Sequence, residues 1–120
     1  MNREAVVMSI RLRILGNTTP ANGTFSIVGG GDGVATFTRS GVGEYTVTLS
    51  DAWTSLIGAR LQVLAATAID LVPQLKSETV ASTKLVVFNM LAGATPTETA
   101  NGVTQDVFLE LVLKNTSVVR

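Results

Sequence analysis

Serine, threonine, lysine and carboxylate side chains are the groups in this sequence that could do chemistry, because it contains no histidine and no cysteine. The missing histidine removes the usual general base near neutral pH and the commonest metal ligand. It also rules out a Ser-His-Asp triad within one chain, and the common zinc sites need histidine or cysteine. Ser82 and Lys84 provide a serine with a lysine base. They lie two residues apart in a predicted turn or strand start, so we predict no catalysis there.

Carboxylates and one glycine-rich segment are the remaining candidates for a site. Glycoside hydrolysis needs two carboxylates in opposed positions. The acidic residues here lie in predicted turns or at strand ends and form no recognisable motif: Asp32, Asp51, Asp70, Asp106 and five glutamates. Gly29–Gly33 lacks the lysine and the following helix of a phosphate loop, and a calcium loop needs more than one aspartate. The sequence therefore predicts a protein that is not an enzyme and has no catalytic, metal or cofactor site. Asp106, just before an apolar strand, is expected to pair with a basic side chain or to cap a turn.

Charge is sparse and balanced along the chain. Nine basic and nine acidic residues cancel, and charged residues make up 15% of the sequence, against about 25% in an average soluble domain. No basic stripe is present to neutralise phosphates, and no apolar run approaches the roughly 20 residues of a membrane-spanning helix. The arginines between Met1 and Arg13 are not typical of a signal peptide. We therefore expect neither nucleic acid nor a membrane as a partner.

Alternating apolar and polar residues predict β-strands in the first half of the chain. From Val7 to Leu15 the even-numbered positions are apolar, which is the period-two pattern of a strand with one buried face. Val34–Arg39 and Glu44–Leu49 flank Ser40–Gly43, and this arrangement predicts a hairpin with a glycine-containing turn. Ala35 is predicted to face the core from the first strand of that hairpin.

The second half of the chain continues the pattern with one predicted exception. Ser50–Ile57 is predicted to form a helical turn, because Ser50 or Asp51 offers an N-cap and Gly58 could end it. Pro73 argues against a central strand, so Ile69–Thr83 is predicted to be a bent or edge strand. About eight strands with frequent turns predict one all-β domain over residues 1–120. We expect an antiparallel, jelly-roll-like β-sandwich in which residues 1–22 form an N-terminal strand plus loop.

Two runs that are apolar almost without interruption, Leu85–Leu91 and Val107–Leu113, are the strongest functional signal in the sequence. Successive side chains of a strand point to opposite faces, so a continuous apolar run indicates a strand covered on both sides. With little helix to cover a second face, we predict that another copy of the protein covers it. The predicted subunit interface comprises Val86, Phe88, Met90, Phe108 and Val112. The alternative is a monomer whose own loops cover the outer face of one sheet.

Three sequence features together resemble the small structural proteins of tailed-bacteriophage virions, namely head decoration, cement or fibre modules. The N-terminal strand runs into Arg13–Asn17, and the Thr38–Leu49 hairpin is followed by a turn that contains Trp53. An acidic residue then leads a hydrophobic strand in Gln105–Leu109. The order of these elements spans most of the chain, and its most specific part is the Gly-x-Gly-x-Tyr-x-Val-x-Leu stretch of the hairpin.

The resemblance implies a jelly-roll trimer similar to complement C1q and tumour-necrosis-factor domains. It implies a location on the outer capsid surface, where a homotrimer binds major capsid proteins and stabilises the head. The N-terminal arginines are then candidates for the capsid contact: Arg3, Arg11 and Arg13. The alternative function is a carbohydrate- or receptor-binding domain of a phage tail or fibre, with Trp53 or Tyr45 stacking on a sugar.

Overall fold

The computed structural model describes residues 5–15, 24–65, 71–97 and 104–114, and these form an all-β protein. Two antiparallel sheets pack as a sandwich, which confirms the predicted fold class. The described strands are β1 (Ala5–Leu15), β2 (Thr24–Gly29), β3 (Val34–Gly41), β4 (Glu44–Leu49), β5 (Ser55–Ala65), β6 (Val72–Thr79), β7 (Leu85–Ala92), β8 (Thr95–Pro96) and β9 (Thr104–Lys114). A 3-10 turn, Gly31–Gly33, lies between β2 and β3.

The first sheet has the strand order β2-β1-β9-β5. β1 and β9 are both 11 residues long and pair along their whole length, from Ala5 opposite Lys114 to Leu15 opposite Thr104. β5, also 11 residues long, pairs with the other side of β9. The second sheet has the order β3-β4-β7-β6, and the short β8 pairs with the end of β7.

The core fills the space between the sheets with one face of each central strand. Ile10, Leu12 and Ile14 are buried on β1, and every second residue of β9 from Val107 to Leu113 is buried opposite the second sheet. Phe37, Tyr45 and Phe88 form an aromatic cluster with ring centroids 5.6–6.1 Å apart. Strict alternation along these strands places the aliphatic side chains in contact across the sandwich.

Two local predictions were wrong. Ser50–Ile57 forms no helical turn: residues 50–54 bend, and β5 begins at Ser55. The backbone amide of Trp53 donates to the carbonyl of Val80 at 2.9 Å, so a tertiary hydrogen bond fixes a conformation that local capping did not reveal. Ala35 is exposed rather than buried, because a register irregularity between Val34 and Thr36 moves it out of the alternating pattern.

The predicted hairpin and the predicted edge strand are both confirmed. β3 and β4 pair around a turn in which Gly43 has a φ of +60°. β6, which contains Pro73, lies at the edge of the second sheet, where the missing N–H of proline costs least.

Gly43→Ala is expected to destabilise the fold by about 1–3 kcal/mol, because an L-residue is strained at positive φ and its Cβ would collide with the backbone of Pro96 and Thr97. Gly93 is the matched control, since its φ is +65° but no neighbouring atom lies within 4 Å of the position that a Cβ would take. Gly93→Ala should show only the conformational cost, about 1 kcal/mol. Urea unfolding of both variants measures the difference, and equal losses would contradict the close packing of β8 on the hairpin.

Candidate functional site

The outer face of the first sheet carries exposed apolar side chains and charged side chains next to one another. Four cross-strand rows run over β1, β9 and β5. In the first row Val112 lies between Val7 and Gly58, and in the second Glu110 lies between Ser9 and Arg60. In the third Phe108 lies between Arg11 and Gln62, and in the fourth Asp106 lies between Arg13 and Leu64. We call these twelve residues the outer face. Because their neighbours along each strand fill the core, these side chains point away from it.

An ion-pair triad occupies one end of the outer face. Arg11 Nε donates to Asp106 Oδ2 at 2.6 Å, and Arg13 donates from Nε to Oδ1 at 2.8 Å and from Nη2 to Oδ2 at 3.1 Å. The Asp106 side chain is only 5% exposed, whereas the two arginines remain about 40% exposed. The prediction that Asp106 pairs with a basic side chain is therefore confirmed.

Electrostatics in the triad favour the charged forms of its members. Hydrogen bonds from Arg13, and then from Arg11, hold the pKa of Asp106 below its ordinary value against the opposing effect of burial. The same carboxylate raises the pKa of Arg13. Two guanidinium groups share one carboxylate, so the triad retains one net positive charge that can interact with an outside acceptor.

An aromatic ring lies at the centre of the outer face. Phe108 is 37% exposed, and the Arg11 guanidinium carbon lies 5.2 Å from its ring centroid, which is a cation–π contact. Beside it lies an open pocket of about 300 Å³. Its polar lining residues are Ser9, Arg11, Arg60, Gln62 and Glu110. Aromatic and arginine side chains are enriched at the centres of protein interfaces in general.

The predicted subunit interface is divided between two places in the structure. Val86, Phe88 and Met90 are each 0% exposed and lie in the chain's own core, so assigning them to a subunit interface was wrong. Phe108 and Val112 lie on the outer face. The sequence prediction combined the inward side of β7 with the outward side of β9, because both sides of β7 are apolar.

The other residues singled out in the sequence have separate locations. Arg3 lies outside the described residues, and Arg11 and Arg13 belong to the triad. Tyr45 is fully buried and cannot stack on a sugar, whereas Trp53 is half-buried against the core. Ser82 and Lys84 belong to the turn between β6 and β7, where both backbone amides donate to the carbonyl of Thr79. Within the described ranges, no group of three or more acidic side chains is placed to hold a metal ion.

The second sheet presents a different outer surface. Thr36, Thr38, Thr46 and Thr48 lie on it, and Glu44 forms an ion pair with Lys76 and accepts a hydrogen bond from Ser40 at 2.8 Å. The leucine and valine side chains on the outer side of β7 lie among these polar groups and are half-buried. The outer surface of the second sheet therefore carries threonines and an ion pair, together with Val72 of β6, which is 62% exposed.

The sequence alone did not identify three site residues on β5: Arg60, Gln62 and Leu64. The alternation along β5 was a usable signal, but only the β5–β9 register shows that these three lie beside Glu110, Phe108 and Asp106.

Comparison of the chain with protein-family models, curated proteins and solved structures found no match. Among the described residues, no helix is long and apolar enough to cross a membrane.

Proposed function

We propose that this protein is a non-enzymatic structural module that binds another folded protein through the outer face of its first sheet. The observation that carries the proposal is the exposed Phe108 ring at the centre of that face, with the Arg11 guanidinium carbon over it. Aromatic and arginine side chains are enriched at the centres of protein interfaces, where a few well-packed and fully desolvated residues provide most of the binding energy.

Exposed apolar side chains around Phe108 also support the proposal. Val7 is 61% exposed and Leu64 is 51% exposed, at opposite ends of the outer face. Charged groups of both signs lie between them, from Arg60 and Glu110 to the triad. A face on which exposed apolar side chains alternate with charged groups of both signs favours a specific contact with a folded surface.

The resemblance to small virion proteins favours the surface of a phage head as the setting. In that setting the protein is a decoration or cement protein, and its partner is the major capsid protein in the assembled shell. Binding only the assembled shell stabilises that state relative to free subunits by mass action. The exposed parts of Arg11 and Arg13 are then available to acceptors on the shell. The trimer that the resemblance implies stays a prediction.

Co-sedimentation with capsid shells tests this function. We expect the purified chain to sediment with assembled shells that lack it and to remain in the supernatant with unassembled capsid protein. Phe108→Glu should weaken shell binding at least tenfold, because it places a charge at the centre of the contact. Thr38→Glu is the matched control on the other sheet and should bind like the unaltered protein. Equal shell binding by the two variants would contradict the assignment of the outer face.

A carbohydrate-binding function is the second candidate, and the open pocket beside Phe108 is the observation that favours it. Its planar polar side chains, Arg60, Gln62 and Glu110, are of the types that hydrogen-bond sugar hydroxyls. A panel of monosaccharides at millimolar concentration should then raise the melting temperature, and Phe108→Ala should abolish the shift. Shell binding without any sugar-dependent shift would favour the structural module.

A further inference from the structure

β5 is an unusually open edge of the sandwich. In its 11 residues every side chain is exposed or half-buried, although alternate ones point towards the core. Leu61 and Val63 pack against the core while remaining partly exposed, and Ile57 and Leu64 are more than half exposed. Apolar surface is therefore left uncovered along one flank of the protein.

The other described sheet edges carry features that discourage strand addition, and β5 has few of them. β2 is only six residues long and has a register irregularity, and β3 has two such irregularities. β6 contains a proline, a lysine and a glutamate. β5 has one irregularity near its start and is then regular from Gly58 to Ala65 with a single charged residue, Arg60. Long regular edges without prolines or several charges are the ones that pair with another strand.

The residues of β5 are arranged so that the strand can pair with a second copy of itself. In an antiparallel pair of identical strands related by a two-fold axis, placing Leu61 opposite itself sets Arg60 opposite Gln62 and Gly58 opposite Leu64. No like charges then face each other, and the exposed leucine lies beside a residue with no side chain, around which the structure has open space. All seven positions from Gly58 to Leu64 lie in the regular part of the strand.

Neighbouring registers are less favourable. Moving the axis to Arg60 places two guanidinium groups directly opposite each other, which is destabilising, and extends the pairing into the irregular segment at Leu56. Moving the axis to Gln62 sets Arg60 opposite Leu64 and loses the fit between Leu64 and Gly58. Of these three registers, the one centred on Leu61 is the one that both avoids opposing guanidinium groups and places Leu64 opposite Gly58.

We propose that β5 pairs edge to edge with β5 of a second copy of this chain, with the two-fold axis at Leu61, so that the two β2-β1-β9-β5 sheets become one continuous sheet. The biological use of this contact rests on the proposed structural role, but its geometry does not. A two-fold contact gives a dimer rather than the trimer that the resemblance implies. The outer face, and Phe108 with it, lies on the side of the sheet rather than along its edge and stays available to another partner.

Disulfide trapping tests the register, since the chain has no native cysteine. Residues directly opposite each other in an antiparallel pair have Cα atoms about 4.5–5.5 Å apart, within disulfide range. Leu61→Cys should therefore form a covalent dimer under mild oxidation. Ala59→Cys is the control, because four residues of offset separate its two copies by more than about 10 Å. Efficient cross-linking of Ala59→Cys, or none of Leu61→Cys in a folded protein, would overturn the proposed register.

Charge substitution at Gln62 tests the same contact without a covalent bond. Gln62→Lys places lysine opposite Arg60 twice and should weaken the dimer by roughly two- to thirtyfold, whereas Gln62→Glu should strengthen it by a similar factor. Light scattering at up to about 0.5 mM protein measures the mass, since strand-edge contacts are small and weak. A mass of 12.6 kDa at every concentration would overturn the dimer. Shell binding through Phe108 is scored separately, so failure of the dimer and failure of the proposed function are distinguishable.

Discussion

Phe88→Ala is expected to lower the free energy of unfolding by about 3–5 kcal/mol, whereas Phe108→Ala should cost about 1 kcal/mol or less. Phe88 is 0% exposed and packs against the rings of Phe37 and Tyr45, so its loss leaves a cavity that the surrounding strands cannot close. Phe108 lies on the outer face, where water fills the space left by a truncated ring. Urea unfolding followed by circular dichroism measures both values.

The comparison of these two phenylalanines tests which faces of β7 and β9 the chain buries by itself. The change is the same in both variants, so the difference in stability reports the environment of the ring alone. Shell binding should show the opposite order, with a loss in Phe108→Ala and none in folded Phe88→Ala. A Phe108→Ala variant as unstable as Phe88→Ala would mean that the outer face is covered within the chain and is not available to a partner.

Asp106→Asn is the second substitution with a large expected effect, a loss of about 1–3 kcal/mol at pH 7. The asparagine keeps the shape of the side chain but gives up the charge that holds Arg11 and Arg13 on the outer face. The cost stays below that of a fully buried pair, because both arginines remain partly hydrated and can recover water contacts. Glu44→Gln is the matched control: its partner Lys76 is half exposed, so the loss there should be about 0.5 kcal/mol or less.

The pH dependence of the Asp106→Asn effect follows from the direction of the pKa shift. The folded protein holds the pKa of Asp106 below its unfolded value of about 3.9. Its stabilising contribution is therefore fully present above that pH and is lost as the pH falls through the lower folded pKa. The difference in stability between the unaltered protein and the variant should stay constant from pH 7 to about 5 and shrink in stronger acid. A difference that grows on acidification would contradict the triad.

Period-two patterns made much of the fold predictable from the sequence. Threonines between the apolar residues of β4 identified the face of the strand that points to solvent, and Pro73 identified β6 as an edge strand. The conformation around Trp53 was not predictable, because a hydrogen bond to Val80, far along the chain, determines it. The exposure of Ala35 depends on a register irregularity that has no clear signature in the residues themselves.

The candidate site was only partly predictable for a related reason. Asp106 was expected to find a basic partner, but the identity of that partner depends on the β1–β9 register, which brings residues more than 90 positions apart into contact. The inward face of β7 could not be chosen, because Leu85 and Val87 are as apolar as Val86 and Phe88. Only the packing of the second sheet on the first distinguishes the two sets.

Hydroxyl-radical footprinting of the chain, alone and mixed with assembled capsid shells, tests whether the proposed partner covers the outer face. We expect Phe108 to be oxidised in the free protein and at least severalfold less in the presence of shells. Val42, 60% exposed in the turn between β3 and β4, is the internal control and should be oxidised equally in both states. Equal oxidation of Phe108 with and without shells would contradict binding through the outer face.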